Sequence, residues 1–158
     1  MNDDLRDLYD AVIRDHGSKP RNFGELHGEG CQHVHGDNPS CGDEIDMYVK
    51  LGEDGKVEDI KFTGQGCLIS QASASMMTKK IKGKTHAEAN EMIATFRGIA
   101  TGKDRKSKEE EENLGELILL EGVQQFPQRV KCAMLGWRAM EQAINHKEGT
   151  VTTEEPRD

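Results

Sequence analysis

An α+β fold is predicted, with a small antiparallel sheet of about three strands covered by helices on one face. Three observations predict it. Ile45, Met47, Val49 and Leu51 alternate with Glu44, Asp46, Tyr48 and Lys50, the period of a half-buried strand. Gly52-Glu53-Asp54-Gly55 supplies turn chemistry, and Val57 to Thr63 returns as the partner strand. Beyond Gly66 the apolar period lengthens to that of helices.

The elements follow in chain order. Leu5, Leu8, Tyr9, Val12 and Ile13 fall at helical spacing, so the chain opens with an amphipathic helix ending near Gly17. Ser18 to Gly24 contains Pro20 and reads as a loop. A short extended stretch is expected around Cys31 to His35. In the returning strand Ile60 and Phe62 share a face, whereas Val57 falls on the other parity and has no place in the simple pattern. Ile69, Ala72, Met76 and Lys80 line one side of the helix after Gly66. Thr85-His86-Ala87-Glu88 has capping-box spacing and opens a helix that buries Ala89, Met92, Ile93 and Phe96. Gly102 to Glu112 is a charged run, read as a solvated loop or frayed helix. Leu114 to Leu120 is a short apolar patch suited to a helical turn packed on the body. Pro127 opens the last helix, with Val130, Met134, Trp137 and Ile144 inward. Residues 1–145 form one domain, and 146–158 form a polar tail expected to be disordered.

Composition narrows the function classes. The 158 residues carry a net charge of −8, so phosphate backbones are repelled and nucleic acid is not an expected partner. One Trp, two Tyr and four Phe leave the core to aliphatic residues and seven Met. The acidic start lacks a signal-peptide core, and no stretch has the length to span a bilayer, so a cytoplasmic location without a membrane partner is expected. In that compartment four cysteines are metal ligands, reactive thiols or small core residues rather than a disulfide framework.

Three of the four sit at element boundaries. Cys41 lies in the turn Asn38-Pro39-Ser40-Cys41-Gly42-Asp43, Cys67 follows Gly64-Gln65-Gly66 at a helix start, and Cys132 follows Pro127 in the first turns of the last helix. Helix starts favour thiolates, which places Cys67 and Cys132 to ionise. The glycines are read as leaving the sulfurs accessible. In an extended segment Asp43 and Cys41 point to the same side. These residues make an S3O set that suits zinc. Three thiolates and one carboxylate leave excess negative charge even with zinc, which Arg129 and Lys131, close in sequence to Cys132, can offset. The alternative for each cysteine is a buried small side chain, and for Asp43 a solvated turn carboxylate. Cys31 reads better as a buried small side chain, although Cys31, His33 and His35 alternate and could bind a metal adventitiously.

Asn38 to Asp43, Gly64 to Cys67 with Ser70 to Met77 behind it, and Arg129-Val130-Lys131-Cys132 resemble the SufU branch of the IscU-like iron–sulfur cluster assembly proteins. Leu8-Tyr9 through Pro20-Arg21-Asn22-Phe23 matches as well, so the likeness runs to about Ile144. Lys131 stands where IscU-type scaffolds have His, and the long interval from Cys67 to Cys132 resembles the insertion of the SufU branch. Departures are Ser40 in place of the usual Thr, and Cys31 with its histidines.

The resemblance implies an IscU-like fold and a zinc site of Cys41, Asp43, Cys67 and Cys132. It also implies a sulfurtransferase activity that accepts persulfide sulfur from a SufS-type cysteine desulfurase. In that scheme a partner histidine replaces Cys41 on the zinc, and Cys41 is the sulfur acceptor. Arg129 is a candidate contact for the partner or the incoming persulfide. Two other readings use the same ligands: a scaffold for a nascent iron–sulfur cluster, and a zinc-stabilised adaptor without activity.

Overall fold

Strand alternation and helix caps set the architecture. The computed structural model describes residues 10–40, 42–145 and 149–152. The expected helical turns at Leu5, Leu8 and Tyr9 lie outside the described residues, as does Cys41. Helix α1 (Ala11–Ser18) begins at Asp10, whose carboxylate accepts the Val12 N–H at 2.7 Å. Strands β1 (Cys31–Asn38), β2 (Asp43–Leu51) and β3 (Val57–Gln65) form an antiparallel meander. Val34, Ile45, Met47, Val49, Ile60 and Phe62 are fully buried on its inner face. The outer face carries His33, His35, Glu44, Asp46 and Lys61, the polar side of the same alternation.

The parity of Val57 has a physical cause. Lys50 pairs with Asp59 but Leu51 pairs with Val57, so Glu58 is the extra residue of a bulge. The extra residue reverses the alternation and turns Val57 into the core, where it is fully buried.

Helix α2 (Leu68–Ile81) runs through the middle of the molecule and is buried on nearly every side. It packs against α1 and against α5 (Pro127–Ile144), which in turn covers β1 and β2. The expected single apolar stripe understates this helix. Its small polar residues are buried too, and they carry the packing: Trp137 Nε1–H donates to Ser73 Oγ at 3.0 Å, and Ser73 Oγ–H donates to the Ala133 carbonyl at 2.7 Å. The Trp137 ring stacks on Phe96 of α3 (His86–Thr101), with centroids 4.3 Å apart.

Between α3 and α5 the charged run forms one exposed helix, α4 (Lys108–Glu112), followed by a 3-10 helix over Gly115–Gln125 that buries Leu117, Leu120 and Val123. Arg105 clamps the two by pairing with Glu111 at 2.8 Å and Glu121 at 2.6 Å. The tail expectation is corrected over four residues. The backbone of β4 (Gly149–Thr152) pairs parallel to β1, so the sheet order is β3-β2-β1-β4. An open edge of unpaired backbone groups on β1 is what such a strand satisfies. No helix among the described residues is long and apolar enough to cross a membrane.

The capping box at α3 is complete: Thr85 Oγ1 accepts the Glu88 N–H at 3.1 Å, and Glu88 accepts the Thr85 N–H at 2.9 Å. Thr85→Ala is therefore expected to lower stability by about 1 kcal/mol. A urea unfolding curve with a lower midpoint and unchanged slope is the result that checks it.

Candidate metal centre

β2 and α2 meet at a tight corner. Asp43 is the first residue of β2 and is 1% exposed. Its Oδ1 accepts the Cys67 N–H at 2.9 Å, and Cys67 is the N-cap of α2. A buried carboxylate is thus solvated by a helix N-terminus, where unpaired N–H groups and the positive end of the helix dipole favour negative charge. A Cβ on Gly66 would lie 2.3 Å from Asp43 Oδ1, and one on Gly64 would lie 2.5 Å from the Glu44 carbonyl. These two glycines, read from sequence as leaving the sulfurs accessible, are required because the two backbones approach so closely. The extended geometry expected between Cys41 and Asp43 is also corrected. Gly42 has φ 75°, and its N–H donates to the Asn38 carbonyl at 2.9 Å, so the chain turns immediately before Asp43.

α5 brings the third group. Cys132 is fully buried in the second turn after Pro127. One donor atom each from Asp43, Cys67 and Cys132 lies within 4.8 Å of the others, close enough to share an ion. Cys67 Sγ is 3.8 Å from Asp43 Oδ2 and accepts the Ser70 N–H at 3.4 Å.

The two thiols differ in acidity. Cys67 is lowered to about 7, first by the hydrogen bond that Cys132 gives it, then by the Ser70 N–H and the Arg129 charge, against the opposing effects of burial and Asp43. Cys132 is pushed far up, because it holds the shared proton against Cys67 and is buried beside Asp43. The expectation of two helix-start thiolates therefore holds for Cys67 alone. A thiolate and a carboxylate about 4 Å apart repel by about 4 kcal/mol at the effective dielectric of such sites. A divalent cation between them would reverse that sign.

The donor set fits zinc. Sulfur and a single carboxylate select against calcium and magnesium, which take oxygen shells. Cys67 is half-buried, so the group is reachable from solvent. Asn38, fully buried, directs Nδ2 at Cys132 Sγ across 3.7 Å, while Asn38 Oδ1 and Ser70 Oγ are buried without a hydrogen-bond partner. Asn38 was absent from the expected site. Its place in the Asn38–Asp43 run was the only sequence signal, since a polar residue at a strand end says nothing of a distant cysteine.

The remaining candidates fall elsewhere. Arg129 is half-buried, and its charge reaches Cys67. Lys131 lines the cleft between α3 and α5, together with Arg97 and Arg138. Cys31 begins β1 opposite Lys50, at the end of the strand away from Asn38, and is not brought to the group.

Residues 8–133 match the model of the NifU-like N terminal domain family. The chain is 45% identical over 149 residues to the zinc-dependent sulfurtransferase SufU of Bacillus subtilis, covering 94% of this chain and 97% of that one. It is also 45% identical over 140 residues to the iron–sulfur cluster assembly scaffold protein IscU of Streptococcus pyogenes, covering 89% and 84%. Among solved structures, a candidate iron–sulfur cluster assembly scaffold protein for the SUF system, from Fervidobacterium islandicum, superposes with a TM-score of 0.76 at 34% identity, covering 87% of this chain and 96% of that one.

In metal-free protein Cys67 is expected to be alkylated with a midpoint of about 7, the thiolate forming as pH rises, while Cys132 stays unmodified until the chain unfolds. Cys132→Ala removes the donor and should move the Cys67 midpoint up toward the ordinary thiol range. Peptide-resolved iodoacetamide labelling over roughly pH 5 to 10 reads both thiols, and equal midpoints would contradict the assignment.

Proposed function

Since this chain belongs to the NifU-like N-terminal domain family, we propose that it is a zinc-dependent sulfurtransferase of iron–sulfur cluster assembly, taking sulfur from a SufS-type cysteine desulfurase. The convergence of Asp43, Cys67 and Cys132 within 4.8 Å carries the reading. The similarity to the Bacillus subtilis sulfurtransferase, which runs nearly the full length of both chains, supports it. Lys131, at the position where IscU-type scaffolds carry His, points the same way.

In this reading Asp43, Cys67 and Cys132 hold the zinc with Cys41. When bound, zinc supplies positive charge that keeps its sulfur ligands deprotonated at neutral pH. The chain's own residues do the rest. Asp43 is held by the Cys67 N–H, so its carboxylate has a fixed position. Cys132 is the innermost donor, and Asn38 Nδ2 adds a hydrogen bond to its sulfur that orients it and moderates its charge. Cys41 precedes Gly42, which is exposed. The Cys41 thiolate attacks the outer sulfur of the desulfurase persulfide. The old S–S bond breaks, its electron pair leaves on the desulfurase cysteine, and the new S–S bond is on Cys41. Arg129, whose charge already reaches Cys67, attracts the anionic persulfide to the same corner. Cytoplasmic location follows from this partner and from thiol chemistry that needs reducing surroundings.

A scaffold reading is favoured by the equal identity to the Streptococcus pyogenes protein and by the likeness to the Fervidobacterium islandicum structure. One experiment separates the two: metal content and desulfurase turnover with a SufS-type enzyme and cysteine. The sulfurtransferase reading expects zinc near one per chain, turnover raised by the wild type, and no enhancement by Cys41→Ala. Iron with acid-labile sulfide and unchanged turnover would favour the scaffold.

Asp43→Ala should weaken zinc retention against a chelator by at least about tenfold, since a ligand does more than the outer residues whose loss costs that much. Cys31→Ser should leave the turnover enhancement intact. A large loss with Cys31→Ser would show that β1 takes part in transfer.

A further inference from the structure

Positive charge gathers along one cleft of an otherwise acidic chain. The cleft lies between α3 and α5, has a volume of about 980 Å³, and is lined by Arg97, Lys103, Lys106, Lys131 and Arg138. Asp104 and Glu141 are the only acidic residues among its described lining, so cations exceed anions there although the whole chain carries −8. Glu141 is already matched, by Arg97 at 3.0 Å.

The wall that carries Lys103 and Lys106 is built by the charged run after α3. Gly102, with φ 77°, ends α3 in the left-handed conformation and turns the chain back. A Cβ on Gly98 would lie 3.1 Å from Arg105 Cα and 3.3 Å from the Asp104 carbonyl oxygen, so the returning loop sits directly on the helix. Arg105 then takes Glu111 and Glu121 into its own ion pairs, at 2.8 Å and 2.6 Å. The segment is thereby sorted by role. Its arginine ties the loop to the body, and its first two lysines stand exposed at the cleft.

Length and spacing select the ligand. The lining contributed by α5 and its cap runs from Val130 to Asn145, about 22 Å along the helix axis. Lys131 and Arg138 stand about 10 Å apart on that axis. Cations strung out in this way do not converge on one small anion. They match an extended chain bearing several negative charges, and about six or seven residues of polypeptide cover the length. A long phosphate backbone fits poorly, because it carries its charge beyond the cleft onto an acidic surface. We propose that the cleft between α3 and α5 is a docking site for an acidic, extended segment of a partner protein. Val130 and Met134 add apolar lining against which the stem of such a segment packs. Lys131 adjoins Cys132, so the bound segment arrives beside the metal centre. Binding rests on the cations of the cleft and does not depend on which ion the cysteine group holds.

Amide ¹H–¹⁵N spectra of the full chain, titrated with a capped hexaglutamate peptide at low salt, test the site. Shifts should gather on residues 97–106 and 130–142 and fade as added salt screens the charges. Lys103→Glu/Lys106→Glu, at two exposed positions, should weaken binding at least about tenfold. Lys19→Glu/Lys56→Glu makes the same change of net charge at exposed positions outside the cleft and should cost far less. Equal weakening by the two pairs would overturn the proposal. So would an absence of shifts in wild type, or shifts centred elsewhere, and these readings need no variant. A thymidine hexanucleotide that binds the cleft more tightly than the peptide would also overturn it, and would assign the cleft to nucleic acid.

Discussion

The hydrogen bond from the Cys67 N–H to Asp43 is the contact on which the site depends. A carboxylate with almost no exposure loses hydration worth several kcal/mol and must find donors or charge within the protein. The first turn of α2 supplies both. Satisfying Asp43 in this way fixes the start of β2 against the start of α2, and the distance leaves no room for a side chain at Gly64 or Gly66. Cys67 then becomes the N-cap of α2. Its sulfur faces Cys132 because α5 packs closely on α2, through the Trp137–Ser73–Ala133 hydrogen bonds. The corner, the helix direction and the sulfur pair are consequences of one buried acid.

Much of this was legible in the sequence where a local rule acted without competition. The hairpin at Gly52 to Gly55, the capping box at Thr85 and the opening of α5 at Pro127 are each set by a few adjacent residues. Cys67 at a helix start was legible for the same reason. What escaped was set by contacts between distant segments. Val57 broke the alternation because a bulge at Glu58 cannot be read from a period. α2 was read as striped although it is buried nearly all round, since its serines and Thr78 look polar in isolation. Cys132 was expected to ionise with Cys67, but two thiols sharing one proton cannot both be anions beside Asp43. The pairing of β4 with β1 depends on an open strand edge that only the assembled sheet reveals.

The sheet also sorts donor atoms by their chemistry. On its inner side the Asp43 carboxylate meets the helix-borne sulfurs of Cys67 and Cys132, and ionising the fully buried Cys132 there requires compensating charge. Its outer face holds the imidazoles of His33 and His35 and the carboxylates of Glu44 and Asp46, paired with one another in contact with water. A cation with strong affinity for sulfur therefore finds its donors on the inner side.

The carboxylates on the two faces of β2 inherit their placement from the hydrophobic core. Asp43, Glu44 and Asp46 interleave with Ile45, Met47 and Val49 on one strand, and those three are fully buried. A slip of β2 by one residue would carry that apolar row into water, so the core holds the register. The bulge between Lys50 and Leu51 lies beyond all of these positions, and its extra residue is absorbed at the far end of the hairpin. The same burial that keeps Ile45 inside thus keeps Asp43 against the cysteines and Asp46 against the histidines.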